Sequence, residues 1–332
     1  MAYKPNMEDI KKLRTMTGAG LADVKKALTD AEGDFNKAME VIREKGQAIA
    51  AKRSDRETSN GCVLVKAVDG FAAIIALKCE TDFVANGADY IKLTQDILDA
   101  AVAAKAKSLD EVKELTLADG TKVLDAVVAR SGITGEKMEL DGYNFIEGEN
   151  ISTYDHMGKH TLCTMVQTNK AAEEQAHAIA MQVAAMKPMF LDEASVSQEF
   201  IEEEKKVAAE KTKQELVQKA VDAALKKAGI NPAHVDSEEH MESNMGKGWI
   251  TAEDVAKAKE IIATVSAEKA ANLPAQMIEN IVKGRINRIY KENCLLNQEF
   301  IQDSKLSVAD YLKAADKDLT VVDYKRFSLS AD

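Results

Sequence analysis

The sequence predicts an α+β protein: an N-terminal three-helix bundle, then two related α+β subdomains with antiparallel sheets, and a projecting helical hairpin set into the second. Three observations predict it. Residues 1–56 carry short apolar stripes at helical spacing, separated by glycine-containing turns. The order strand, strand, helix occurs twice, near residues 61–105 and 146–187. Residues 196–270 are rich in Glu, Lys and Ala and read as two long charged helices joined by a turn region.

Each element has its own signal. Ile10 and Leu13 mark a first helix, and "MTGAG" (Met16 to Gly20) breaks it, because two glycines permit a tight turn. Leu21, Val24 and Leu28 give the second helix one apolar face. Asp34 can cap a third, which repeats the period at Phe35, Ala38, Met39 and Ile42. From Gly61 the period changes. "CVLVKAV" and "FAAIIALKC" flank Asp69-Gly70, a strong hairpin signal. Tyr90, Leu93, Ile97 and Ala101 mark a helix, and residues 106–135 read as helical with breaks near Gly120 and at Gly132. "NFIEGENISTYDHMGKHTLCTMVQT" (Asn144 to Thr168) offers strands turning at Gly148 and Gly158, followed by a helix that must end before Pro188. Thr251 and Asp254 stand at capping-box positions of the second charged helix. "LTVVDYKRFSLS" alternates like a closing strand.

Bulk properties narrow the function. A chain of 332 residues exceeds one compact core. A formal net charge of −11 argues against general nucleic-acid binding, which needs cations on phosphate, and suits a basic partner. No apolar run approaches a membrane span, and the N-terminus lacks a signal peptide's apolar core, so a cytoplasmic location is expected. Cys62, Cys79, Cys163 and Cys294 are scattered without CxxC spacing, which fits free buried thiols. His156, His160 and Cys163 are close in sequence. On a strand, however, Cys163 would point away from the two histidines, and Gly158 favours a turn over a ligand array. No phosphate-binding loop, dinucleotide fingerprint, nucleophile elbow or HExxH motif is present.

One stretch stands apart. "LKCETDFVAN" (Leu77 to Asn86) sets an acid and a phenyl ring where a buried strand gives way to a helix. Two readings compete. In one, Thr81 or Asp82 caps the helix and Phe83 or Val84 packs beneath it. In the other, Phe83 is a protruding anchor, and burying a phenyl ring in a partner is worth about 1.5–3 kcal/mol.

"LRTMTGAGLADVKKALTDAEGDFNKAMEVIREKG" (Leu13 to Gly46), "ETDFVAN" (Glu80 to Asn86) and "GRINRIYKENCLLNQEFIQDSKLSVADYL" (Gly284 to Leu312) resemble, in order, three signatures of the elongation factor Ts family. The resemblance implies a translation elongation factor: a guanine-nucleotide exchange factor that binds the GTPase elongation factor Tu in its GDP-bound and nucleotide-free forms, with no active site, cofactor or metal of its own. It implies a ubiquitin-associated-like fold for the N-terminal module. It also implies that the tip Thr81, Asp82, Phe83 and Val84 wedges into the partner beside its Mg²⁺ and phosphate site, so that GDP leaves. Leu13, Met16, Gly18, Gly20 and Leu21 would give the module's contact, against the alternative that Leu13 and Leu21 are core. His156, in the Tyr154–Lys159 turn, would approach the partner from the second lobe. The helical hairpin offers a place where two complexes could pair.

The expected division is residues 1–56 for the module and linker start, 57–143 for the first core subdomain, and 144–332 for the second with its helical insertion at 196–270. The chain departs from the family pattern after Val84, where Ala85-Asn86-Gly87 lacks the usual basic residue. Its 205–270 stretch is longer than the usual hairpin, and a C-terminal helical module of some members is not expected. Two other readings remain: an adaptor that binds proteins through the N-terminal module, and a metal hydrolase built on His156, His160 and Cys163.

Overall fold

A computed structural model describes residues 3–330. The chain divides into two compact units: residues up to Leu191 together with those from Glu299 onward, and Asp192–Gln298.

The first unit opens with α1 (Met7–Thr17), α2 (Leu21–Asp30) and α3 (Phe35–Lys52). Asn6 caps α1 by accepting the Asp9 amide at 2.7 Å, and Asp34 accepts the Asn36 and Lys37 amides at the head of α3. Gly18 ends α1 in the left-handed region, with φ 66°. The stripes converge on Ile10, Leu13, Val24, Ala27, Leu28 and Ala38.

The hairpin of β1 (Asn60–Val68) and β2 (Phe71–Cys79) follows, antiparallel, with Val68 opposite Phe71. Asp69 and Gly70 both take positive φ, as the tight turn requires. Next come α4 (Asp82–Ala85), α5 (Ala88–Ala104), α6 (Leu109–Glu114) and α7 (Val123–Thr134). The break expected at Gly132 falls instead at Gly135, whose φ of 72° caps α7. Gly132 serves packing: a Cβ there would lie 2.5 Å from the Gly46 Cα, so the two glycines let α3 and α7 cross in close contact.

β3 (Met138–Glu147) pairs with β2, giving a sheet of order β1-β2-β3. The sequence pattern puts Asn144–Glu147 at the start of the second sheet unit; they complete the first instead. Glu139, Asp141 and Gly142 disguise the strand, whose Leu140 is buried in the core shared with α5 and whose Ile146 is buried on the opposite face with Cys163 and Met165. β4 (Ile151–Asp155) and β5 (Leu162–Thr168) form a second hairpin, and α8 (Glu173–Met186) follows.

The second unit is helical: α9 (Gln198–Lys227), α10 (Glu238–Gly246), α11 (Ala252–Ala271) and α12 (Ala275–Asn293). Both α11 and α12 pack along α9. Val221, Leu225, Ile230, Val235, Met241, Ile250 and Ala258 close a small core where α9, α10 and α11 meet. Thr251 and Asp254 form a reciprocal capping box.

The chain then returns to the first unit as β6 (Glu299–Phe300), β7 (Asp303–Ser307), α13 (Val308–Ala315) and β8 (Val321–Ser328). β8 pairs with β5, giving a sheet of order β4-β5-β8. The two sheets face each other through Val63, Ala72, Ile74, Ala76 and Ile146 on one side and Cys163 and Met165 on the other. Gly142 leaves the space for the Phe327 ring, which would stand 2.2 Å from a Cβ there. α5 covers the outside of the first sheet, and α8 covers the outside of the second. The layers run helix, sheet, sheet, helix.

The end of β2 is tied firmly. Glu80 accepts the Lys137 amide at 2.6 Å, Arg56 at 2.8 Å and Arg53 at 3.1 Å, while Asn60 donates to the Glu80 carbonyl at 2.9 Å. The Lys137 amide first, and then the two arginines, hold the Glu80 carboxyl at about 2, against an ordinary value of 4.5.

Gly132→Ala should force α3 and α7 apart at a cost of about 1–3 kcal/mol, read as a lower Tm; an unchanged melt would mean that the crossing is loose. Glu80's folded pKa is depressed, so its contribution is complete above pH 4.5 and is lost as pH falls toward 2. Glu80→Gln should therefore lower the denaturation midpoint at neutral pH and flatten its fall across that acid window.

Candidate functional site

The tip is built on the end of β2. Thr81 is extended (φ −122°, ψ 153°), and its hydroxyl caps α4 by accepting the Val84 amide at 3.4 Å. Two other bonds fix Thr81: its amide donates to Glu136 Oε2 at 3.1 Å and its hydroxyl donates to Glu136 Oε1 at 2.6 Å. The Asp82 carbonyl accepts from the Asn86 side chain at 2.8 Å. Beneath the tip, Tyr90 donates its hydroxyl to the Leu77 carbonyl at 2.8 Å, and burial pushes that phenol's pKa up.

The two readings of the tip divide by residue. Thr81 caps, and Val84 packs against the core with Ala85. Phe83 does neither: it is 87% exposed. Asp82 is exposed beside it, and its carboxylate has no hydrogen bond or ion pair among the described residues. An apolar ring and an uncommitted carboxylate thus stand on a backbone held from several sides.

The module residues separate in the same way. Leu13 is fully buried, so it shapes the bundle from within and offers no surface. Met16 and Leu21 are each 54% exposed, and Gly18 and Gly20 lie exposed between them. Gly18 faces α7, where a Cβ would stand 3.3 Å from Ile133 Cδ1.

In the second lobe, His156 opens a single helical turn after β4. Its ring contacts the Tyr154 hydroxyl at 3.0 Å through Nδ1. His160 pairs with Asp155 instead, and Cys163 is buried with its thiol on the Val63 carbonyl, so the three side chains have separate partners. Among the described residues no group of three His, Cys, Asp or Glu converges as a metal site. All four cysteines are free and buried; burial pushes the Cys62 thiol up to about 12, far from a reactive thiolate.

The fold gathers these stretches at one end of the first unit. Asn60 lies opposite Cys79, and the Val63 amide donates to the His160 carbonyl at 2.7 Å, so the 156–160 turn sits beside the start of β1 and the end of β2. Ile133, under Gly18, lies three residues before Glu136, which holds Thr81. Sequence reasoning missed two residues there. Met157, 70% exposed in a left-handed turn (φ 57°), had a local signal in the Met-Gly that follows the strand. Glu136 had none, because its partner is 55 residues away.

Comparison with known proteins agrees with this architecture. The family model described as Elongation factor TS matches residues 80–228 and 218–331. Relatives named Elongation factor Ts include one from Bacteroides fragilis, 68% identical over 98% of this chain and 99% of its own length. One from Bacteroides thetaiotaomicron is 66% identical over the same shares, and one from Porphyromonas gingivalis is 42% identical over 98% of both chains. No helix among the described residues is long and apolar enough to cross a membrane. With the family model spanning most of the sequence and these relatives matched nearly end to end, the chain belongs to the elongation factor Ts family.

Proposed function

We propose that this protein is a guanine-nucleotide exchange factor that binds elongation factor Tu in its GDP-bound form and speeds GDP release. The observation that carries the reading is Phe83, 87% exposed at the end of a strand whose terminus is pinned by Glu80 and Glu136. A ring on a rigid mount enters an apolar slot without the cost of ordering a loop. Asp82, with no internal partner, competes for groups that support the partner's Mg²⁺. That ion demands near-octahedral oxygen ligation at about 2.0–2.1 Å, so small displacements of its supports weaken it. Losing its charge weakens the diphosphate in turn. Coupling is reciprocal: as the factor lowers nucleotide affinity, GTP binding lowers the affinity for the factor and releases it. The chain supplies binding energy and no bond chemistry. Met16 and Leu21 on the helical module and His156 in the second lobe extend the contact at the same end. The 205–270 helices and any pairing of two complexes through them stand outside this core action.

The test is release of fluorescent GDP from the cognate elongation factor Tu, with wild type and with Asp82→Ala/Phe83→Ala. Losing a buried phenyl ring of about 1.5–3 kcal/mol corresponds to a roughly ten- to hundredfold slower stimulated release. The melt should scarcely move, because exposed side chains contribute within about 0.5 kcal/mol. Full stimulation by the double variant would shift the action to the module or the second lobe. No stimulation by wild type would leave the adaptor role of the N-terminal module.

A further inference from the structure

Glu136 lies 55 residues from Thr81 in sequence but stands beside it, just before the start of β3. Its backbone is fixed before its side chain acts. Gly135 ends α7 with its amide on the Ser131 carbonyl at 2.8 Å. The Glu136 amide donates to Thr134 Oγ1 at 3.2 Å, and Ser131 donates its hydroxyl to the Glu136 carbonyl at 2.5 Å. The next residue, Lys137, gives its amide to Glu80, so the start of β3 is locked to the end of β2. From that base the carboxylate spends both oxygens on Thr81, one on the amide and one on the hydroxyl.

The second of these bonds has a directional effect. A threonine hydroxyl has one proton and can rotate to suit. With its proton committed to Glu136, the oxygen presents its lone pairs to the Val84 amide, the capping bond that starts α4. The Thr81 carbonyl accepts the Ala85 amide at 3.2 Å, so the same residue sets both ends of the turn that carries Asp82 and Phe83. Among the described residues, neither Asp82 nor Phe83 has a side-chain hydrogen bond or ion pair of its own to orient it.

We infer that Glu136 is a positioning residue of the exchange tip: by holding Thr81 with both carboxylate oxygens it fixes the direction in which Asp82 and Phe83 leave the sheet. The inference rests on the exchange function proposed above. It predicts that removing Glu136 slows the step after docking more than it weakens docking, since the rest of the contact end is untouched.

The experiment is a double-mutant cycle on fluorescent GDP release, at rising concentrations of the full chain, with Glu136→Ala, Phe83→Ala and both together. Glu136→Ala should lower the maximal stimulated rate about tenfold, the scale of one charge-assisted hydrogen bond, with a smaller change in half-saturating concentration. In the Phe83→Ala background the same substitution should cost several-fold less than in wild type, because only the part of its effect that passes through Asp82 is left. Glu136→Gln keeps an acceptor for the Thr81 hydroxyl but sets an amide donor against the Thr81 N–H, so an intermediate loss is expected. It also serves if the alanine variant folds poorly. Hydrogen exchange of the Val84 and Ala85 amides should quicken in both variants. Equal fold-losses in the two Phe83 backgrounds, a wild-type rate in Glu136→Ala, or unchanged amide protection would each overturn the positioning role while leaving the exchange function standing. Absence of stimulation by wild type would overturn that function itself, and the positioning role with it.

Discussion

Both faces of β2 are buried, and the first unit is arranged around that constraint. Phe71, Ala73, Ile75, Leu77 and Cys79 point toward α5, while Ala72, Ile74 and Ala76 point toward the second sheet. A strand with two apolar faces needs a layer on each, and its backbone needs a partner on each edge. β1 and β3 supply the edges, α5 one layer, and β5 with its neighbours the other. The small residues on the inner face let the two sheets approach, and Gly142 admits Phe327 where a methyl group would collide. The stiffness of the tip is inherited from this sandwich, since Cys79 at its root is fully buried.

A single exposed phenyl ring is common on protein surfaces and means little by itself. Phe83 gains weight from its mount. Glu80 is held by an amide and two arginines, Thr81 by a bidentate carboxylate, and Val84 and Ala85 by the core. Glu80, Thr81, Val84 and Ala85 around the ring are committed to the body, and the ring is not. The charge pattern agrees: the anchoring carboxylates, Glu80 and Glu136, are spent on internal donors, whereas Asp82 is left to solvent. Site and scaffold are thus distinguished by which polar groups are satisfied.

Much of this was legible in the residues. The Asp69-Gly70 hairpin, the caps at Asp34 and Thr251, the helix stop before Pro188 and the closing strand near the C-terminus all depend on neighbours within a few positions, and short-range rules read them. The location of the tip was legible for the same reason, as an apolar run followed by a capping residue. Its orientation was not. Phe83 and Val84 are adjacent and both apolar, and only the surface beneath them decides which one packs. Leu13 and Leu21 posed the same question: the bundle interior takes Leu13 and leaves Leu21 half in solvent.

Local patterns set the class of the fold, the order of most elements and the segment that carries Phe83, because stripes, turns and caps are written at periods of two to seven residues. The tertiary structure decided the rest. It assigned β3 to the first sheet, turned Gly132 from a helix breaker into a helix contact, and brought Gly18, Thr81 and His156 to one end. It also revealed Glu136. These outcomes depend on pairings between residues tens of positions apart, which cost chain entropy to form and are settled only when a whole core repays it.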